Sequence, residues 1–501
     1  MTLRYLHKHH KQGALPRILS CCLLLSIFNV SAEDKLQVTP TPIIQPNILM
    51  IVVDDLGWSD LGFSNSSGVF DTPNIDTLAK QSLRFTDAYA GAANCAPSRA
   101  VLMSGQYAPR HGVYTVSPSD RGKPQTRKLI PVKNEDFLPD ETITLAESLK
   151  SAGYTTGHFG KWHLGDDPTT QGFDHNVAGY KKGHPTSYFS PYNMPTIKDG
   201  PKGEYLTQRL TTEAINWIKQ VKQQPFFAYI PYYTVHTPLQ PIPALEKKYR
   251  SKQGIISGKQ AKYAAMVEAM DNNVGRLLAA LKTNQLSDNT LVIFTSDNGG
   301  IRGISPQDPL RAGKGSYYEG GLRVPLLIYW PTKIDPRVTH VPTVNADLYP
   351  SLIALTGAKL PQQPLDGKDL TNLWLSPDKQ IDKKLTERAL FWHFPIYLDA
   401  KNAISNQATD PLFRTRPGSV IRKGDWKLHH YLENDSYELY NLKHDLPEHT
   451  NLAKFLPEKV AELKLDLAQW RSEIQAPTNL PLNPLYDAKI ESQLTLKALL
   501  K

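Results

Sequence analysis

The sequence predicts an α/β protein: a large, mainly parallel or mixed sheet sandwiched by helices, then a smaller C-terminal antiparallel-sheet domain carrying one helix. Three observations predict it. Short apolar runs alternate with segments of helical period, the pattern of strand–helix–strand units. The runs are apolar throughout, as strands buried on both faces are. After about residue 385 the pattern changes to short strands joined by tight turns.

The elements follow in chain order. Residues 1–32 read as a signal peptide: Arg4, Lys8, Lys11 and Arg17 precede the apolar run Ile18–Val30, and Val30-Ser31-Ala32 offers small residues before Glu33. The run is too short to span a bilayer, and most of it lies after Cys21, against a lipoprotein signal. Export to the periplasm or the medium follows, with cleavage near Ala32. No stable membrane anchor is expected, since no later segment reaches the roughly 18 apolar residues a membrane helix needs. Residues 33–385 form the larger domain, beginning with a Pro-broken leader over 33–46. Its strands are Asn47–Val53, Phe226–Tyr233, Leu291–Ser296 and Val324–Trp330. Its helices are Asn74–Leu83, Thr142–Ala152, Leu206–Val221, Lys262–Leu281 and Asn345–Thr356. Residues 386–501 form the smaller α+β domain and tail, with strands Ala389–His393, Ser419–Arg422, Trp426–Tyr431 and Glu438–Leu442 and a helix over Pro457–Glu473. The tail from Ala476 is expected to wrap the surface or fray.

Composition narrows the class. The chain has 501 residues, 40% hydrophobic and 21% charged, which excludes a disordered chain, a coiled coil and a polytopic membrane protein. Removing residues 1–32 takes four basic and no acidic residues, so the net charge falls from +9 to +5. That balance suits an acidic substrate. No basic arm or basic–aromatic motif points to nucleic acid. Two of the three cysteines leave with the signal, so Cys95 remains alone and no internal disulfide can form.

Three strand ends carry polar clusters, and ligands of open α/β sheets bind beyond the carboxyl ends of the strands. Asp54-Asp55 ends the first strand, His236 follows another, and Ser296-Asp297-Asn298-Gly299-Gly300 ends a third. Adjacent carboxylates repel and are relieved by a hard cation such as Ca²⁺ or Mg²⁺, or by water. An exposed acid pair and an ordinary Asn-Gly turn are the plain alternatives.

Cys95-Ala96-Pro97-Ser98-Arg99, followed by Val101-Leu102-Met103-Ser104-Gly105, resembles the core motif of the type I, formylglycine-dependent sulfatases of the alkaline phosphatase superfamily. The resemblance is to bacterial polysaccharide sulfatases. A second signature of that family stands at Gly153-Tyr154-Thr155-Thr156 and Gly160-Lys161-Trp162-His163, with Phe159 bulkier than the small residue expected there. The resemblance runs from about Pro46 to Leu452, through Arg422-Lys423-Gly424-Asp425-Trp426-Lys427 and Glu438-Leu439-Tyr440-Asn441-Leu442.

The resemblance implies a catalytic sulfatase domain and a set of roles. Cys95 is the residue that a formylglycine-generating maturation enzyme oxidises. The aldehyde hydrate attacks the sulfur of a sulfate ester, giving a sulfo-enzyme that then expels sulfate. Asp54, Asp55, Asp297 and Asn298 match the metal ligands, with the Cys95-derived oxygen completing the shell around Ca²⁺, or Mg²⁺. Arg99 holds the hydrate, from a helix beginning near Pro97. Lys161 and His163 bind a sulfate oxygen and the leaving oxygen, His236 protonates the leaving oxygen, and Lys314 binds sulfate.

His175 and His184, in the loop Gly172–Tyr192, and Arg302 and Arg311, before Lys314, are candidate substrate-binding residues. His393, Arg414 and Arg416 lie in a third such loop. The expected substrate is a sulfated oligo- or polysaccharide, an algal galactan or glycosaminoglycan fragments. The alternatives are a phosphonate or phosphate ester hydrolase of the same superfamily and an inactive glycan-binding homologue.

Overall fold

The computed structural model describes residues 45–65, 68–376, 382–400, 407 and 409–500. The expected signal peptide and residues 33–44 of the leader lie outside them. The large sheet contains β1 (Asn47–Val53), β2 (Leu83–Phe85), β3 (Thr155–Phe159), β4 (His175–Val177), β5 (Phe226–Pro231), β6 (Thr290–Ser296), β7 (Leu326–Tyr329) and β8 (Arg337–Thr339). Their order across the sheet is β4-β3-β5-β1-β6-β7-β2-β8. β1 lies at the centre, parallel to β5 and β6, with Met50 opposite both Tyr229 and Ile293. β7 runs antiparallel to β6 and β2, so the sheet is mixed.

β1 shows why the sheet needs two helical layers. Its seven residues are all buried. Leu49, Ile51 and Val53 face one core, and Ile48, Met50 and Val52 face the other, as side chains alternate along a strand. The helices Pro73–Lys80, Leu206–Val221 and Gly258–Thr283 cover the first face. The helices Cys95–Ser104, Leu145–Ser151 and Leu348–Thr356 cover the second.

Some boundaries differ from expectation. The helix expected over Asn74–Leu83 stops at Lys80. Leu83 and Phe85 instead pair with Ile328 and Leu326 in the sheet, and a three-residue strand is too short to break the preceding helical period. β5 ends at Pro231 and β7 begins after Pro325, each shorter than the apolar run that marks it. β3 and β4 escape the apolar-run criterion: β3 reads TTGHF and β4 has three residues.

The second sheet is antiparallel, in the order β9 (Ala389–Phe394), β10 (Gly418–Lys423), β11 (Trp426–Tyr431), β12 (Ser436–Asn441). The helix Pro457–Glu473 packs Leu463, Leu467 and Trp470 into one core with Trp392, Val420 and Leu428. Val101 and Tyr89 enter that same core. The tail holds a further helix, Ala488–Leu499, where a wrapped or frayed segment was expected. Asp487 caps it through the Lys489 and Ile490 amides, and Glu491 reaches Arg416 at 2.8 Å.

A buried charge network joins β11 to the large α/β layer. Lys427 lies 2.9 Å from Glu319 and 3.0 Å from Glu448, with all three side chains buried. Glu319 also accepts from Arg323 (2.7 Å) and the Tyr89 hydroxyl (2.9 Å). Removing one member strands buried charge. Lys427→Met should therefore cost about 3–5 kcal/mol. Lys423→Met, which loses only the surface pair with Asp466, should cost about 0–1 kcal/mol. Denaturant midpoints of the two variants check this, and equal shifts would contradict it.

Candidate active site

The carboxyl ends of β3, β5, β1 and β6 lie side by side, and each hands a polar side chain to one place. Sheet hydrogen bonding continues past the strands: Asp54 N donates to Thr234 O (3.0 Å), Val235 N to Asp54 O (2.8 Å) and Asp297 N to Val53 O (3.2 Å). Asp55 then takes a left-handed conformation, φ 61°. This is an uncommon state for a residue with a side chain. Asp55 N donates to Asp297 Oδ1 (3.1 Å) and Leu56 N to Ser296 Oγ (3.1 Å), which hold the turn. After β3, Gly160 has φ 139°, and a Cβ there would lie 2.0 Å from Pro231 O. Only glycine fits, and Lys161 N can then donate to that same oxygen at 2.7 Å.

Cys95 begins the helix Cys95–Ser104, two residues before the start expected near Pro97. Asn94, just before it, gives its side chain to Thr115 Oγ1 (3.2 Å) rather than to the helix amides. Arg99 is one turn on. Its Nε donates to Asp297 (2.9 Å) and its Nη1 to Lys161 O (3.0 Å). Lys161 Nζ contacts both oxygens of Asp54 at 2.8 and 2.9 Å. Lys314 Nζ lies 2.6 Å from Asp55 and 3.5 Å from Cys95 Sγ. His236 Nε2 is 3.6 Å from Asp55, and Asn298 Nδ2 donates to Asp55 at 2.8 Å. His163, also left-handed at φ 64°, leaves its Nδ1 buried with no partner among the described residues.

The electrostatics follow from burial and crowding. Burial, reinforced by Asp297, Asp55 and Cys95, raises Asp54 well above the usual carboxylate range against the pull of Lys161. Burial acts to raise Asp55 too, but Lys314, His236 and Lys161 outweigh it and hold it low. Burial also opposes ionisation of Cys95, yet Lys161 and Lys314 bring its thiol below the ordinary value. Burial and Lys314 push His236 down to about 4. His163 falls well below its usual range through burial, Lys161 and Arg99.

These residues suit a hard divalent cation. Ligand atoms of Asp54, Cys95 and Asp297 lie within 4.8 Å of one another, all buried. Asn298 Oδ1 is buried with no partner among the described residues, an oxygen ligand left over. Burial first, and then the nearby Asp297 and Asp55, raise Asp54, and a bound cation would offset both.

The candidate substrate residues are placed differently. His184 stacks on His236, ring centroids 6.1 Å apart at 4°. Arg302 sits between Gly300 and the Lys314 turn, 3.3 Å from Asp308 and from Leu310 O. Arg311 lies over the Tyr318 ring at 4.1 Å and donates to Glu448 O (2.7 Å), so it braces the Lys314 turn against β12 and its following loop. His175 packs on Phe159 and Trp217 at the sheet edge, so its ring is engaged there and not in the cluster. His393 is buried against Ser419 (2.7 Å) and Pro477 O (2.9 Å). One residue the sequence reading missed is Tyr188, whose hydroxyl donates to Tyr233 O (2.5 Å) and His236 O (2.9 Å) and props the His236 turn. A single tyrosine in a loop carries no motif.

Three cations matched to three carboxylates at strand ends, with a thiol on a helix N-terminus, make a buried site suited to an enzyme that binds a metal ion and an anion together. The sequence model of the Sulfatase family matches residues 46–358, and that of the N-sulphoglucosamine sulphohydrolase C-terminal region matches residues 313–475. A sulfatase of Formosa agariphila is 36% identical, over 91% of this chain and 94% of that one. Human N-acetylgalactosamine-6-sulfatase is 31% identical, over 70% of this chain and 68% of that one. The crystal structure of Ps i-CgsB superposes with a TM-score of 0.69 at 29% identity, over 91% of this chain and 100% of that one. The chain belongs to the type I sulfatase family and is a sulfuric ester hydrolase.

If the acidic cluster holds a divalent ion, stripping it should destabilise the fold. Dialysis against a chelator should lower the Tm, and added Ca²⁺ at about 100 times its Kd should restore about 2.7 kcal/mol. In Asn298→Ala the Ca²⁺-dependent Tm shift should shrink. Identical melting curves with and without the ion would contradict a site here.

Proposed function

We propose that this chain is an exported carbohydrate sulfatase whose nucleophile derives from Cys95. The observation that carries the reading is Cys95 Sγ, buried at a helix N-terminus, 3.5 Å from Lys314 Nζ and grouped with Asp54 and Asp297. Relatives supply the substrate class. One is named for N-acetylgalactosamine 6-sulfate, and Ps i-CgsB has been solved with k-i-k-neocarrahexaose. The proposed substrate is therefore a sulfated galactan or glycosaminoglycan fragment. We divide the chain into a catalytic part, residues 33–385, and a C-terminal part, residues 386–501. Residues 1–32 serve as the export signal to the periplasm or medium. Among the described residues no helix is long and apolar enough to cross a membrane.

Maturation by a separate formylglycine-generating enzyme turns Cys95 into an aldehyde whose hydrate offers an oxygen nucleophile. Asp54, Asp55, Asp297 and Asn298 would hold Ca²⁺, or Mg²⁺, which supplies Lewis acidity toward that oxygen and the sulfate. The remaining work belongs to the side chains. Arg99, pinned by Asp297 and Lys161 O, orients the Cys95 oxygen. Lys161 and Lys314 neutralise the sulfate oxygens where charge grows in the transition state. His163 steadies the leaving oxygen, and His236, protonated once bound sulfate offsets the charge of Lys314, gives it a proton.

Mass spectrometry of the tryptic peptide Phe85–Arg99 from the native host should show the Cys95 sulfur replaced by an aldehyde oxygen. A thiol throughout would overturn the nucleophile and leave a glycan-binding homologue. Cys95→Ala should fold normally and release no sulfate. His236→Ala should lose about 10²–10⁴-fold in kcat on a sugar sulfate. It should lose far less on 4-nitrophenyl sulfate, whose leaving group needs no proton. Equal losses would remove the acid role from His236.

A further inference from the structure

Beside the Lys314 turn lies a cavity of about 370 Å³, in the size range of a small-molecule site. Its lining mixes cations, carboxylates and rings, among them Lys128, Arg414, Arg416, Phe413 and Tyr431. The carboxylates are already engaged. Arg416 takes Asp410, Glu433 (2.8 Å) and Glu491 (2.8 Å). Glu438 accepts from the hydroxyls of Tyr318 (2.6 Å) and Tyr440 (3.1 Å). Arg416 thus gathers three of the four lining carboxylates, and two of the three lining cations have no ion pair among the described residues. Among the described residues no carboxylate forms an ion pair with Arg414 or Lys128, and Lys128 Nζ rests over the Tyr486 ring at 5.8 Å.

Arg414 stands between this cavity and the catalytic turn. It lies on the short strand Phe413–Thr415, which pairs with Leu398–Asp399. Its Nη1 donates to Lys314 O at 3.3 Å, and its Cδ lies 3.2 Å from where a Gly315 Cβ would stand. Its Nε is buried and has no partner among the described residues. Burial lowers its pKa and Arg121 adds to that, while Asp399 and Asp55 act the other way. A half-buried guanidinium whose nearby carboxylates form no ion pair with it, and whose buried Nε has no partner among the described residues, is satisfied when a ligand supplies the anion.

We infer that this cavity is a second-anion subsite, in which Arg414, with Lys128, takes a sulfate or carboxylate group on a sugar neighbouring the one that is desulfated. The inference rests on the carbohydrate-sulfatase reading and makes the enzyme selective for saccharides carrying two anions. The guanidinium fork suits both oxyanions.

The test compares kcat/KM for galactose 6-sulfate, which has one anion, with two probes. A chondroitin 6-sulfate disaccharide adds a uronate, and a disulfated carrageenan disaccharide adds a second sulfate. Arg414→Gln should cut the preference for a two-anion probe over galactose 6-sulfate by about tenfold or more, chiefly through KM. Arg414→Lys should recover part of it. The probe that loses more names the anion. Equal losses on all three substrates would overturn the subsite and leave Arg414 a brace of the Lys314 turn, and no loss on any would overturn it as well. If the wild type cleaves none of them, the carbohydrate-sulfatase reading fails separately. Calorimetric titration of the two disaccharides then decides the subsite: weaker binding to Arg414→Gln supports it, and equal binding overturns it.

Discussion

Three carboxylates and a thiol share one buried place at the carboxyl ends of adjacent strands, and the rest of the molecule is arranged around their mutual repulsion. Asp54, Asp55 and Asp297 are each matched by a cation, Lys161, Lys314 and Arg99 respectively. That matching keeps the cluster neutral but occupies both lysines. A lysine held by a carboxylate is poorly placed to grip a sulfate. In the proposed enzyme a divalent cation takes over the carboxylates, which leaves Lys161 and Lys314 for the substrate. Arg99 stays committed, because its second bond to Lys161 O belongs to the backbone frame. This division explains why one pocket carries both a complete acid set and a complete base set.

Such a cluster needs positional accuracy, and parallel register provides it. β1 is paired along its length with β6, from Asn47 opposite Thr290 to Val53 opposite Ser296. The acids that follow therefore emerge at one level. Ser296 Oγ stitches the two ends together by donating to Val53 O (3.1 Å) and Asn298 O (2.8 Å). The unfavourable left-handed state of Asp55 persists because its neighbours are held on either side, Asp54 N by Thr234 O and Leu56 N by Ser296 Oγ.

What the sequence made legible was local. The seven apolar residues of β1 and the acids after them are contiguous, and the Cys95–Arg99 motif lies within one helical turn, so neither needed three-dimensional knowledge. The parts that were not legible depend on contacts between distant segments. Leu83–Phe85 is a strand because β7 and β8 flank it, not because of its own period. The tail helix Ala488–Leu499 meets Arg416 across 75 positions. Tyr188 acts through its hydroxyl on carbonyls 45 and 48 residues away. Of the four proposed substrate residues, His184 reaches the cluster through His236, while Arg311 is consumed by internal bonds.

The C-terminal sheet is part of how Lys314, the proposed sulfate-binding lysine, is mounted. Lys314 lies in a turn whose ends are both held from that side: Arg311 donates to Glu448 O and Tyr440, and Glu319 is paired with Lys427 of β11. Arg414 adds a third attachment at Lys314 O. These bonds span 100 or more positions in sequence, so the turn cannot hold its place without the second sheet. The same arrangement sets what can vary. Residues that balance the carboxylates are fixed by charge, whereas a residue such as Arg414, attached to the turn through one backbone bond and otherwise open to a cavity, can change without disturbing that balance.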